Sequence, residues 1–393
     1  MKRILIVQPS LQPPGGGNCV AAWILEGLKV EHAVSVLTWI PIDSAEINRY
    51  FGTSLGAAEF ENILPNTGLR RLLNALPLPL GLLKMNLLLR HTKRIGRDFD
   101  ILMTINNEAD FGSPGIQYVH FPMAYWPRPP ADLRWYHAWL PLLKTYYRCC
   151  WKLSDFSLER LKDNVTLANS DWTAGKIREF HGIDSITLYP PITGGFPEVP
   201  WAERENGFVC IGRFSPEKDL DKIINILAAV KVSRPQTHLH LIGAREARAH
   251  SYYAHVRRRV AENASWIALH ENMSRAEMAQ LIARHRYGIH GMADEHFGMA
   301  VAEMVRGGCI VFIPRGGGQI EIVGGDERVL YGTKEEAVKK IAATLDDADR
   351  QFAVRKLLQK RVAQFSTEQF IVQLREIVRD FARGDPAVDS ASA

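Results

Sequence analysis

Phe208-Val209-Cys210-Ile211-Gly212-Arg213-Phe214-Ser215-Pro216-Glu217-Lys218-Asp219 is the stretch on which the fold assignment turns. A short apolar run ends on glycine, a compact polar loop follows, and a helical pattern continues through Leu227. An apolar run with no polar alternation is what a parallel sheet covered on both faces requires of its strands. Arg213 stands just past the strand and Lys218 just before the helix. Two cations at such a turn can neutralise a diphosphate, the arginine as a bidentate fork and the lysine as a point charge. The same spacing also lets Glu217 pair with either cation at the surface, which would contribute little.

The strand, turn and helix pattern repeats outward in both directions. Strands are expected at Arg3 to Gln8, Ala33 to Trp39, Ile101 to Ile105, Ile116 to His120 and Val165 to Asn169, then at Phe208 to Gly212, His238 to Ile242, Trp266 to Leu269, Tyr287 to His290 and Ile310 to Ile313. Longer helical patterns separate them, which predicts an α/β fold with parallel sheets. Tyr189-Pro190-Pro191-Ile192-Thr193-Gly194-Gly195-Phe196-Pro197 punctuates the chain and marks a boundary. The expectation is two Rossmann-like, doubly wound domains facing across a cleft, residues 1–195 and residues 196–365. A ligand would then lie at the carboxyl ends of the strands. Thr367 to Arg383 has one apolar face, through Phe370, Leu374 and Val378, and residues 366–384 are expected to form a helix packing back toward the first domain. Residues 385–393 read as a flexible tail.

With 393 residues, 23% of them charged, the composition is that of an ordinary globular chain and excludes disorder, collagen and disulfide scaffolds. Forty-eight Lys and Arg against 43 Asp and Glu leave +5, too mild for a dedicated nucleic-acid binder. Five scattered cysteines, with no C-x-x-C pair and no histidine at zinc-ligand spacing from them, point to a reduced, intracellular protein. Met1-Lys2-Arg3 leads directly into Ile4-Leu5-Ile6-Val7, which reads as a first strand rather than a signal peptide, and no apolar segment approaches membrane-spanning length.

Gly291-Met292-Ala293-Asp294-Glu295-His296-Phe297-Gly298-Met299-Ala300-Val301-Ala302-Glu303 straddles another strand-to-helix turn. Glu295 lies in the loop, Phe297 and Gly298 at the helix start, and Glu303 further along the helix among apolar neighbours. A carboxylate there needs a ligand or a partner, either sugar hydroxyls or an arginine such as Arg306. After the first strand, Pro13-Pro14-Gly15-Gly16-Gly17-Asn18 allows close backbone approach and precedes a helix whose N-terminus can attract phosphate. It is not the dinucleotide fingerprint, because Val20 stands where a glycine would be needed, and it reads equally as a plain turn. Asp98-Phe99-Asp100 has a D-x-D spelling but reads as a solvated lead-in to a strand, so no metal is expected.

These elements, with Tyr118-Val119-His120-Phe121-Pro122 and Asn169-Ser170-Asp171-Trp172-Thr173, resemble the retaining nucleotide-sugar glycosyltransferases of family 4, which have the two-domain GT-B architecture. The resemblance covers most of the chain and is strongest from Asn169 to Val323; its closest branch is the α-1,2-mannosyltransferases that extend lipid-linked oligosaccharides. It implies a metal-independent, retaining hexosyltransferase that takes a sugar such as mannose or glucose from a GDP- or UDP-sugar co-substrate to a glycan or lipid-linked acceptor. Arg213 and Lys218 then bind and stabilise the departing diphosphate, Glu295 contacts the donor sugar, and Glu303 holds the ribose. Phe297 and Gly298 supply backbone contacts, Gly16 and Gly17 lie near the phosphates, and His120 approaches the reacting sugar. Without the resemblance His120 reads equally as a core histidine. A nucleotide-sugar epimerase or hydrolase, or a non-catalytic nucleotide-binding scaffold, is the alternative.

On the acceptor side, Arg70 to Arg97 holds Arg70, Arg71, Lys84, Arg90, Lys93, Arg94 and Arg97 among many leucines and no acidic residue. Tyr125, Trp126, Trp135, Tyr136, Trp139, Tyr146, Tyr147 and Trp151 follow. Basic, leucine-rich and aromatic surfaces suit a membrane interface, so peripheral contact with a cytoplasmic membrane face is expected. The competing reading makes the leucines core helices, since Pro77 and Pro79 break any long amphipathic helix.

Overall fold

The computed structural model describes residues 1–13, 15–76, 80–123, 139–244 and 250–384, with the side chain of Leu140 left aside. Among these, one unit comprises 1–123, 139–191 and 367–384, and a second comprises 192–366. Each is built on one all-parallel sheet.

In the first unit β1 (Arg3–Val7), β2 (Ala33–Leu37), β3 (Phe60–Ile63), β4 (Ile101–Thr104), β5 (Ile116–Val119), β6 (Val165–Ala168) and β7 (Ile186–Thr187) run in the order β3-β2-β1-β4-β5-β6-β7. In the second, β8 (Glu205–Ile211), β9 (Leu239–Gly243), β10 (Ile267–Glu271), β11 (His285–Ile289), β12 (Ile310–Pro314) and β13 (Leu330–Tyr331) run β10-β9-β8-β11-β12-β13. The strand order reverses direction at β1 and at β8, so each sheet has a switch point, beside β4 and beside β11 respectively. All ten strands expected from apolar runs are present. The three others, β3, β7 and β13, are edge strands: Phe60-Glu61-Asn62-Ile63 is partly exposed and half polar, and β7 and β13 are two residues long.

The inner strands are buried on both faces, with Ile4 to Val7 at most 1% exposed and Ile310 to Ile313 fully buried. Each such aliphatic side chain contributes roughly 1.5–3 kcal/mol through burial. The C-terminal helix Thr367–Arg383 turns Phe370, Leu374 and Val378 inward. It packs on helix Gly16–Leu28, where Leu374 lies over Gly27 and Arg375 Nε donates to the Gly27 carbonyl at 2.8 Å.

The leucine-rich region divides. Leu73, Leu88 and Leu89 belong to the core under Leu5, Leu37 and Trp39, as the core reading expects. Lys93 reaches the buried Asp110 at 2.8 Å, and Lys84 donates to Asn74 at 2.7 Å. Leu69, Leu72 and Leu76, by contrast, are exposed along helix Thr67–Ala75, as are Trp139 and Leu142 at the start of helix Leu140–Ser154. Tyr125, Trp126, Trp135, Tyr136, Pro77, Pro79 and the tail 385–393 lie outside the described residues. No helix among the described residues is long and apolar enough to cross a membrane. The five cysteines are free thiols, and Asp98 and Asp100 are exposed, the latter accepting from Arg3 N at 2.7 Å.

Candidate active site

At the switch point of the second sheet, the loops after β8 and β11 bring together Lys218 and Glu295, as an ion pair. The loop after β8 runs through Gly212 and Arg213 to a single 3-10 turn, Pro216–Lys218. Asp219 adopts a left-handed conformation (φ 46°) and caps helix Leu220–Ser233 through its carboxylate. That sharp turn leads the Lys218 stem back over Gly212, where a Cβ would lie 3.6 Å from Lys218 Cδ.

The loop after β11 is fixed chiefly by its own backbone partners. Gly291 passes so close to the Lys218 carbonyl that a Cβ would overlap it. The fully buried Gln319 donates from Nε2 to the Met292 carbonyl at 2.7 Å and the Gly316 carbonyl at 3.2 Å. Gly317, at φ +70°, lies against the Glu295 backbone, and Gly318 N donates to the Glu295 carbonyl at 2.8 Å. Gly298, at φ +110°, opens helix Met299–Arg306, a conformation that only glycine adopts at little cost. The Phe297 ring is buried against Phe365, with centroids 5.5 Å apart, which anchors the loop.

Glu295 has a second partner that sequence reasoning missed. His290, immediately after β11, is 1% exposed and places Nε2 3.1 Å from Glu295 Oε2. Its carbonyl accepts from the buried Tyr331 hydroxyl. Burial pushes the Glu295 carboxyl up, but the Lys218 ammonium and the His290 ring outweigh it and hold the carboxyl well below its usual range. Burial, aided by Lys218, pushes the His290 ring down despite Glu295, so His290 is neutral and donates from Nε2. The result is an ionised carboxylate and a cation prearranged at the strand ends, which suits a ligand with both hydroxyls and phosphate.

Arg213 is half-exposed and pairs with the nearly buried Glu217 at 3.1 Å, so the surface pairing allowed by the spacing does form. Glu303 also has a protein partner: Arg275 NH1 lies 3.1 Å from Glu303 Oε1, and the same guanidinium reaches Thr193. The partner is thus Arg275, which opens helix Arg275–Arg284, and not Arg306 as the local sequence suggested. Burial raises the Glu303 carboxyl, only partly countered by Arg275.

A separate group lies in the first unit. The first helix begins at Gly16, earlier than expected, so Gly16 and Gly17 form its first turn, where a helix supplies no backbone partner to its N–H groups. His120 follows β5, and its Nε2 lies 3.1 Å from where a Cβ on Gly17 would sit, so the two expected residues do meet. His120 Nε2 also lies 3.1 Å from the Ile105 carbonyl. Asn107, in a left-handed conformation, accepts from His120 N at 2.9 Å, and Asn169 Nδ2 donates to the His120 carbonyl at 3.0 Å.

Residues 195–361 match the family described as "Glycosyl transferases group 1". The human GDP-Man:Man(3)GlcNAc(2)-PP-Dol alpha-1,2-mannosyltransferase is 26% identical over 230 residues, covering 53% of this chain and 47% of that protein, and the Xenopus tropicalis protein of the same name is also 26% identical. The chain therefore spans about half the length of the curated relatives it matches. Among solved structures, Anabaena Alr3699/HepE in complex with UDP and glucose superposes with a TM-score of 0.68 at 16% identity, over 97% of this chain and 100% of that one. Sucrose-phosphate synthase from Thermosynechococcus elongatus gives a TM-score of 0.70 at 14% identity, over 98% and 100%. These likenesses identify the two parallel sheets as a GT-B fold. The match to the group 1 glycosyl transferases spans residues 195–361, the part of the chain that contains Arg213, Lys218, Glu295 and Glu303.

Proposed function

We propose that the chain is a glycosyltransferase that takes a hexose from a nucleoside-diphosphate sugar, retaining its anomeric configuration and using no metal for the transfer. The Lys218–Glu295 pair at the β8/β11 switch point carries this reading. In it, the diphosphate takes up the Lys218 ammonium and the Arg213 guanidinium, and Glu295 turns to the sugar hydroxyls. As the anomeric bond breaks, negative charge builds on the leaving phosphate oxygen, and the two fixed cations stabilise it without reorganising. That oxygen can accept the acceptor's proton, so no protein nucleophile is assigned. Glu303, held by Arg275, is assigned to the ribose, the Phe297–Gly298 backbone to the donor, Gly16–Gly17 to phosphate, and His120 to the reacting sugar.

The human relative's name specifies GDP-mannose and a dolichol-linked acceptor. It supports GDP-mannose as the first donor to test and a lipid-linked glycan as the acceptor class. Exposed Leu69, Leu72 and Leu76 beside Arg70 and Arg71, with Trp139 and Leu142, support peripheral contact with an anionic membrane surface. Calorimetry with GDP and UDP tests the reading: saturable heat that is lost in Lys218→Met supports it, the absence of heat with both refutes it, and heat without any sugar transfer leaves the nucleotide-binding scaffold. Donor consumption without any acceptor would favour the hydrolase or epimerase alternative.

A further inference from the structure

Histidines and a glutamate converge at the other end of the second sheet. Glu205 opens β8, His285 opens β11, and His238 and His240 flank Leu239 at the start of β9. β8 is seven residues long, which places this group about 20 Å along the sheet from Arg213. His238 Nε2 lies 3.2 Å from His285 Nε2, and Glu205 Oε2 lies 3.4 Å from the first and 3.7 Å from the second. His240 offers a ring nitrogen within 4.8 Å of those two.

The remaining ring nitrogens settle the protonation. His285 Nδ1 lies 2.6 Å from the Leu281 carbonyl and His238 Nδ1 3.2 Å from the Gln236 carbonyl. A carbonyl only accepts, so each Nδ1 donates and each neutral ring turns an Nε2 lone pair toward the other. Two lone pairs and a carboxylate oxygen at these separations repel unless a cation lies among them. A proton shared between His285 and His238 is the alternative cation. A four-coordinate ion with bonds of 2.0–2.1 Å separates its ligand atoms by about 3.3 Å, close to the 3.2–3.7 Å among His238, His285 and Glu205, whereas His240, within 4.8 Å of the two histidines, would close in on the ion when it binds.

The surroundings fit the same answer. His240 Nδ1 lies 2.8 Å from His270 Nε2, and Arg284 holds the other Glu205 oxygen at 3.0 Å, while the two Nδ1–carbonyl bonds fix the remaining rings. Outer partners of this kind orient metal ligands. Gly207 leaves room for the His238 ring, which a Cβ at that position would overlap. His238 and Glu205 are partly exposed, which provides an entry path.

We propose that Glu205, His238, His240 and His285 form a tetrahedral site for one divalent transition-metal ion of the zinc class, which braces the start of the second sheet and takes no part in donor chemistry. The test uses the tag-free, chelator-treated full chain, titrated with Co²⁺ and then with Zn²⁺. The expected result is one equivalent of Co²⁺ with the intense visible absorption of tetrahedral coordination, displacement by Zn²⁺, and a raised Tm. His238→Ala and Glu205→Ala, at partly exposed positions that need not unfold the chain, should each weaken Zn²⁺ binding about 100-fold or more, whereas His250→Ala should not. Absent uptake, weak octahedral absorption, or unchanged affinity in His238→Ala would each overturn the proposal, the first leaving a shared proton as the cation.

Discussion

Replacing Lys218 by methionine keeps the stem that lies over Gly212 but removes the charge that balances Glu295. Exposed ion pairs contribute about 0.2–1 kcal/mol, whereas breaking a buried one costs about 3–5 kcal/mol. With Lys218 12% and Glu295 19% exposed, the pair lies nearer the buried end, and a loss of about 2–3 kcal/mol follows. For a unit of this size that lowers its Tm by roughly 4–12 °C. The catalytic loss is of another kind, because a fixed charge facing the leaving phosphate is worth about 100- to 1000-fold in kcat. Lys218→Met combined with Glu295→Gln separates the two effects. Neutralising both partners removes the stranded carboxylate, so most of the lost stability should return, while nucleoside-diphosphate release from GDP-mannose or UDP-glucose should stay at the level of the single variant or below. Full activity in Lys218→Met, or activity restored in the double variant, would refute the assignment of Lys218 to the diphosphate.

Three further outcomes are expected. Arg213→Ala leaves the nearly buried Glu217 without that cation and should cost about 1–3 kcal/mol of stability while weakening nucleoside-diphosphate binding by roughly 10-fold or more, read by urea unfolding and calorimetry. Gly317→Ala places a Cβ against the Glu295 backbone at φ +70° and should cost about 1–3 kcal/mol together with transfer activity, measured by urea unfolding and product formation. His240 is held down to about 4 from its ordinary 6.5 by burial and by neighbouring histidines. In chelator-treated protein its contribution to stability is therefore complete above pH 6.5 and is lost as the pH falls from 6.5 toward 4, because only the unfolded chain takes up the proton. A urea midpoint independent of pH over that window would contradict this.

Much of the architecture is legible in the sequence because a parallel sheet buries its inner strands on both faces, as in Ile4-Leu5-Ile6-Val7 and Ile310-Val311-Phe312-Ile313. The edge strands β3, β7 and β13 leave no such run, since one is half polar and two are too short to have a period. The positions of Arg213, Lys218 and Glu295 follow from strand ends, but their partners do not. Arg275 meets Glu303 only through helix packing, and His290 meets Glu295 through the turn of the loop between them. The same holds for the histidine cluster, whose proposed ligands come from the starts of β8, β9 and β11. Leucine content alone could not divide Leu88 and Leu89, which are core, from Leu72, which is exposed, because burial depends on the helix face that the sheet covers.

The most direct measurement is a donor screen against lipid extracts by mass spectrometry. The account predicts that one nucleoside-diphosphate hexose adds a hexose to a lipid-linked glycan, with stoichiometric release of the nucleoside diphosphate and loss of both in Lys218→Met. Sugar release to water alone, or no donor consumed by a folded protein that also fails to bind GDP or UDP, would contradict it.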